Sequence, residues 1–140
     1  MSMRIFVFDD EVHIGGLDQR DDLKKVLAGH ELTFATTPDE AIKVYTGEYD
    51  LMLLDHDMEG FPEHRMDYPN TGFKFVQWLT QKEVMKVHPV NKPQVILHSH
   101  NHKGRARMMH LLNLAGFHVA EMPYSHKYIQ FLKDSFGLGG

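Results

Sequence analysis

Short apolar runs occur along the chain, and a segment with helical spacing follows each of them. The runs at residues 4–8, 51–54 and 94–97 are apolar at nearly every position, which predicts strands buried on both faces. Residues 32–36 and 117–120 are two further short runs, giving five predicted strands. Because a helical segment separates each strand from the next, we expect the strands to be parallel.

Five helices are predicted to alternate with these strands. Thr37, Pro38 and Glu40 match a capping box with proline at the first helical position, which predicts a helix from there to about residue 47. In residues 105–115, apolar side chains recur at positions i, i+3, i+4 and i+7, and this spacing predicts a helix. The other predicted helices are residues 17–28, residues 71–84 and a last helix capped by Ser125.

This alternation predicts an α/β fold of the flavodoxin-like kind. Its doubly wound sheet has five parallel strands in the order 2-1-3-4-5, with helices on both faces. The 140 residues suit one domain. We expect that domain at residues 1–136 and a flexible, glycine-rich tail at residues 137–140. No stretch approaches the roughly 18 apolar residues of a membrane span, and no signal peptide is predicted, so a cytoplasmic protein is expected.

Composition excludes several classes of function. The chain has no cysteine, which excludes disulfides, thiolate zinc sites and cysteine nucleophiles. A formal net charge of −4 gives no reason to expect general DNA binding. Any nucleic-acid partner would therefore have to be bound locally.

Carboxylates collect at the ends of two strands that the predicted order makes neighbours. Asp9 and Asp10 follow the first strand, and Asp55 and Asp57 follow the third. The carboxyl ends of parallel strands form the edge where ligands bind. Four carboxylates there would repel each other unless they become protonated or hold a cation. The pattern therefore predicts a divalent metal site, with Mg²⁺ or Mn²⁺ preferred, while helix capping and loop hydrogen bonds are the structural alternatives.

Histidines lie at the same strand ends. His56 follows the third strand and His98 follows the fourth. Imidazole changes charge near neutral pH, so either residue could be a general acid or base, or a metal ligand. A ring held by backbone groups is the equally weighted structural alternative. His98, His100 and His102 alternate along the chain, which keeps Zn²⁺ as a minority interpretation.

The segment after the fourth strand is suited to bind phosphate. It lies at the expected start of a helix, where backbone N–H groups and the helix dipole favour an anion. The structural alternatives are an N-cap role for Asn101 and a solvated helix face for Arg105 and Arg107. The candidate phosphate-binding residues are Ser99, Asn101, Lys103, Gly104 and Arg105.

Four aromatic residues are candidates for either core packing or base stacking. Phe73 and Trp78 lie in an apolar helical segment and are interpreted as core residues. Phe61 and Tyr68 lie in residues 58–69, a polar stretch that we interpret as an active-site loop or lid and as the better place to stack a nucleobase.

These motifs resemble those of receiver domains of response regulators. On that resemblance Asp55 takes the phospho-acceptor position, Asp9 and Asp10 the magnesium-binding positions, and Ser99 the hydroxyl position. Receivers end their fifth strand in Lys-Pro, whereas this chain has Met122 in place of the lysine. The substitution argues against ordinary aspartyl-phosphate signalling.

A closer resemblance is to a divergent branch, the cyclic-phosphate-processing receiver domains. It implies a metal-dependent domain of a bacterium or phage that binds or hydrolyses cyclic phosphates of nucleotides or RNA ends, with His98, His56 and Asp55 as catalytic candidates. The alternative is a non-catalytic receiver-like module for signalling or binding. The motifs that carry the resemblance are residues 54–57, 71–73, 78–79 and 98–101, with Gly104 and Met108.

Overall fold

A computed structural model describes residues 3–9, 25–55, 72–84, 93–97, 102–122 and 126–138. Within these ranges five parallel strands form one sheet in the order β2-β1-β3-β4-β5, which confirms the predicted flavodoxin-like arrangement. The strands are β1 (Arg4–Phe8), β2 (Glu31–Ala35), β3 (Leu51–Leu54), β4 (Gln94–Leu97) and β5 (His118–Glu121).

The helices in the described ranges follow the predicted alternation. Residues 25–27 are also helical and precede Gly29, which has a φ of 87°. Most of the helix predicted at residues 17–28 lies outside the described residues. None of the helices described here is long and apolar enough to cross a membrane. Four have both ends described: α1 (Pro38–Val44), α2 (Gly72–Val84), α3 (His102–Leu114) and α4 (His126–Phe136).

The three central strands, β1, β3 and β4, bury both of their faces, as their continuous apolar sequences predict. Alternate side chains point to opposite faces of a strand. Phe6 and Phe8 of β1 face a first core cluster that includes residues of α1, α2 and α3. Ile5 and Val7 face a second core cluster that includes residues of α4 and the helical residues 26–27. Helices therefore cover both faces of the sheet.

A cluster of aromatic side chains packs α2 against the sheet. The ring centroids of Phe6 and Phe75 are 5.3 Å apart, and Trp78 meets Tyr45 of the α1 C-cap edge to face at 5.7 Å. Phe73 is 7% exposed and belongs to the first core cluster. The interpretation of Phe73 and Trp78 as core residues is confirmed, whereas Phe61 and Tyr68 lie outside the described residues.

Some element boundaries differ from the sequence prediction. Two boundaries differ by three residues: α3 begins at His102, before the predicted start at residue 105, and α1 ends at Val44, before the predicted end near residue 47. Gly104 disfavours helix by its propensity, yet it lies inside the first turn of α3. At the other end of the chain, Gly137 has a φ of 66° and Leu138 is 2% exposed in the second core cluster, two residues beyond the predicted domain boundary.

Candidate functional site

The register of the sheet brings Asp9 and Asp55 side by side. β1 and β3 pair Phe8 with Leu54, and the two aspartates are the next residue on each strand. The Asp55 N–H donates a hydrogen bond to the Phe8 carbonyl oxygen at 2.9 Å, so pairing continues past the end of β3. Neighbouring strands lie about 4.8 Å apart. Two aspartates 46 positions apart in the sequence are thus neighbours at the carboxyl edge of the sheet.

Both aspartates are nearly inaccessible to solvent. Asp9 is 0% exposed and Asp55 is 6% exposed. Aspartate is almost never buried to this extent unless it is paired, because an ionised carboxylate loses its hydration there. Two buried carboxylates on adjacent strands also repel each other. The arrangement therefore requires compensating hydrogen bonds, protonation or positive charge.

Asp9 and Asp55 are the members of the predicted metal set that the structure brings together. Within the described ranges no group of three or more histidine, aspartate or glutamate side chains is arranged to hold a metal. Mg²⁺ is often bound by only one or two carboxylates, with water and phosphate oxygens as its other ligands, so this pair fits such an ion. The predicted site residues that lie outside the described residues are Asp10, His56, Asp57, His98, Ser99 and Asn101.

The start of α3 occupies the position expected for a phosphate cradle. Lys103 and Gly104 are the second and third residues of the helix. Their backbone N–H groups are among the first four of a helix, which have no carbonyl partner within it. In a right-handed β-α-β crossover the helix begins at the edge where the preceding strand ends. These amides therefore lie at the same edge of the sheet as Asp9 and Asp55.

Arg105 has a structural contact that the sequence did not reveal. Its side chain is 6% exposed, and its Nε lies 3.2 Å from Glu121 Oε2. The solvated helix face that was the alternative for Arg105 is therefore wrong, although it is right for the exposed Arg107. The ion pair ties the first turns of α3 to the end of β5.

Met122 occupies the position where receivers carry lysine. Its N–H donates to the Leu97 carbonyl oxygen at 2.9 Å, which holds it beside the end of β4. The side chain is partly buried against the second core cluster. An apolar thioether thus stands where a receiver would present an ammonium group.

The sheet order and the paired aspartates at the ends of β1 and β3 define a receiver-like α/β domain. The response regulator domain of Thermotoga maritima CheB has a similar structure, with a TM-score of 0.52 at 14% identity, over 98% of this chain and 92% of that chain. A fusion protein containing a trimeric coiled-coil segment of yeast Spc42 has a TM-score of 0.55 at 11% identity, over 96% of this chain and 76% of that chain. At these identities the likeness shows the fold alone.

The sequence assigns the chain more narrowly within this class. The family model of the cyclic-phosphate processing receiver domain matches residues 7–114. The chain therefore belongs to that family, as its motifs predicted. No curated protein sequence is significantly similar to it.

Proposed function

We propose that this domain is a metal-dependent phosphoesterase that binds and hydrolyses a cyclic phosphate of a nucleotide or RNA end. The observation that carries the proposal is the pair of buried carboxylates, Asp9 and Asp55, on adjacent strands of the sheet. Membership of the cyclic-phosphate processing receiver family supports the choice of ligand.

A divalent cation would offset the charge of the two aspartates. Asp9 and Asp55 would each give it a carboxylate oxygen, and Asp10 and Asp57 would complete the site directly or through water. Mg²⁺ or Mn²⁺ suits such hard donors, and Zn²⁺ remains the alternative if His98 or His56 is a ligand. When bound, the ion would supply positive charge that stabilises a phosphate oxygen in the transition state.

The protein would supply proton transfer and orientation. The amides of Lys103 and Gly104 would hold phosphate oxygens at the start of α3. One of the two candidate histidines, His98 or His56, would take a proton from the attacking water as its oxygen bonds to phosphorus. The other would give a proton to the ring oxygen as its bond to phosphorus breaks. The product would be an acyclic phosphomonoester.

Met122 favours this chemistry over that of a signalling receiver. Without a lysine at this position, a phosphoryl group on Asp55 would lack the contact that receivers provide. The receiver-like fold nevertheless supports a second candidate function, a non-catalytic module that binds a phosphorylated ligand or a protein partner and signals by a change of conformation.

Purified protein incubated with 2′,3′-cyclic nucleotides and Mg²⁺, Mn²⁺ or Zn²⁺ separates the two functions. Phosphorus NMR should show ring opening, and Asp55→Asn and His98→Ala should each lower its rate by at least about 100-fold. Asp134→Asn is the matched control, because Asp134 is an exposed carboxylate on α4 that accepts a hydrogen bond from Gln130. Saturable binding without turnover in any metal would favour the module.

A further inference from the structure

A groove lies between α2 and α3, outside the pair of carboxylates. Its volume is about 300 Å³, at the lower end of the range for pockets that bind small molecules. Two of its lining residues carry basic groups and the others are apolar or aromatic. The lining residues are Phe73, Ala106, Arg107, His110 and Leu111.

Arg107 forms a flat cationic surface in this groove. Its Cζ lies over the Phe73 ring, 4.3 Å from the centroid, in a cation–π contact. Phe73 is 7% exposed and held in the first core cluster, whereas Arg107 is exposed. The buried ring therefore supports one side of the guanidinium plane. Guanidinium planes and aromatic rings are the groups on which proteins stack nucleobases.

The charge of α3 favours an anionic ligand. Its thirteen residues include Lys103, Arg105 and Arg107 and contain no aspartate or glutamate, in a chain whose net charge is −4. Arg105 is paired with Glu121 on β5, which leaves Arg107 and His110 as the basic groups that line the groove. The positive charge carried by α3 as a whole favours a ligand that bears a phosphate over a neutral aromatic compound.

The groove begins near the edge of the sheet that carries the aspartates. Phe73 is the second residue of α2, and Arg107 is the sixth residue of α3. At 1.5 Å per residue, Arg107 lies about 7 to 8 Å along the helix from its start. Both helices begin at the edge where the strands end. A ligand with phosphate at that edge would therefore have its attached ring near the groove.

We propose that this groove binds the base of a nucleotide whose phosphate lies at the carboxyl ends of β1 and β3. The inference rests on the proposed function and adds to it the place where the base of the nucleotide would bind. The base stacks on the outer side of the Arg107 guanidinium and meets the apolar surface of Leu111, while His110 can exchange a hydrogen bond with the base edge. A small planar ligand fits the stacked lining and the volume better than a protein helix does.

Binding of adenosine 3′-monophosphate and of glycerol phosphate, measured by calorimetry with Mg²⁺ present, tests the groove without requiring turnover. The nucleotide should bind at least about fivefold more tightly than glycerol phosphate, because base stacking adds affinity. Arg107→Ala should remove this preference and leave glycerol phosphate binding within about twofold. Arg107→Lys should also remove it, since lysine keeps the charge but has no plane to stack.

Lys133→Ala is the control for surface charge. Lys133 is an exposed cation on α4, whose apolar residues face the second core cluster on the other side of the sheet. This variant should bind both ligands as the unchanged protein does. Backbone amide shifts on adding the nucleotide should be largest at the groove, at Ala106, Arg107, His110 and Leu111.

Several results would overturn the groove proposal. One is equal affinity of the protein for the nucleotide and for glycerol phosphate. Another is a preference for the nucleotide that survives Arg107→Ala. A third is that the backbone amide shifts at the groove respond only to protein concentration or to an added acidic peptide. If the protein hydrolysed cyclic nucleotides and glycerol cyclic phosphate at equal kcat/KM, base binding in the groove would be contradicted and phosphoesterase activity would be supported. If nucleotide binding depended on Arg107 but no hydrolysis occurred with any added metal ion, phosphoesterase activity would be contradicted and base binding in the groove would be supported.

Discussion

At the scale of single residues, the site depends on two carboxylates that folding places next to each other. Asp9 and Asp55 are 0% and 6% exposed, so two ionised carboxylates there would lose hydration and, unless compensated, would repel each other across β1 and β3. A cation bound between the two carboxylates would replace this repulsion by the attraction of both carboxylates to the same ion. Metal binding should therefore appear as a change in the stability of the whole domain.

Asp55→Asn should uncouple stability from divalent ions. For the unchanged protein, Mg²⁺ at 100 times its Kd should raise the free energy of unfolding by about 2.7 kcal/mol. The variant should lose this increment and, in chelator, should be at least as stable as the unchanged protein, because a like charge beside Asp9 is gone. Thermal unfolding with EDTA and with Mg²⁺ measures both effects.

Asp134→Asn should retain the Mg²⁺ increment, because this exposed carboxylate lies on α4. Equal responses to Mg²⁺ in Asp55→Asn and the unchanged protein would contradict a metal role for Asp55. A loss of about 1 to 3 kcal/mol in chelator would identify Asp55 as a structural hydrogen-bond acceptor instead.

The sequence predicts some of these residues and not others for a physical reason. Asp9 and Asp55 were predictable because each directly follows a continuous apolar strand, and parallel strands end at one edge. The burial of Arg105 was not predictable, because it depends on Glu121, which is distant in sequence and reaches it only when β5 joins the sheet. The groove at Arg107 likewise requires the packing of α2 against α3.

At the scale of elements, α3 is joined to the sheet by the Arg105–Glu121 ion pair. The helix begins at His102, and Arg105 lies in its first turns, so the pair holds the amides of Lys103 and Gly104 in place. Because the Glu121 side chain is 43% exposed, solvent weakens the pair on that side. Its main contribution is to compensate a buried guanidinium.

Arg105→Ala should lower the free energy of unfolding by about 1 to 3 kcal/mol, through lost packing and a lost charge-assisted hydrogen bond. Urea unfolding measures the change. Arg107→Ala, two residues further along the same helix, should cost less than about 1 kcal/mol, because it loses only an exposed cation–π contact. Equal costs for the two variants would mean that the buried ion pair does not hold α3.

The start of α1 depends on its capping box. The Thr37 hydroxyl accepts a hydrogen bond from the Glu40 N–H at 3.1 Å, and a Glu40 carboxylate oxygen accepts one from the Thr36 N–H at 2.7 Å. Thr37→Ala should destabilise the domain by about 1 kcal/mol in urea unfolding. Thr37→Ser keeps the hydroxyl and should recover most of the loss. Failure of serine to do so would assign the effect to the lost methyl group.

At the scale of the whole molecule, the continuous apolar strands and the helices between them determine the fold. Strands buried on both faces require a helical layer on each side, and the two core clusters show this arrangement. The doubly wound arrangement was therefore predictable from the pattern. The start of α3 was predicted three residues too late, since Gly104 disfavours helix by its propensity and yet lies in the first turn.

The whole fold is that of a receiver, so the chemistry at Met122 decides which receiver functions it retains. We expect the unchanged protein to show no saturable uptake of beryllofluoride, a phosphoryl analogue, at Asp55 in fluorine NMR. Met122→Lys should gain uptake, because its ammonium group would supply the positive charge that receivers place beside the phosphoryl group. Met122 is only partly buried, so the lysine can reach solvent, and the loss of stability should be about 1 kcal/mol.

Met122→Leu is the matched control, because it keeps an apolar side chain against the second core cluster and should behave as the unchanged protein does. A beryllofluoride signal in the unchanged protein that Asp55→Asn abolishes would contradict the prediction. It would show that the aspartates alone support receiver chemistry, and the signalling module would then be the better description of this domain.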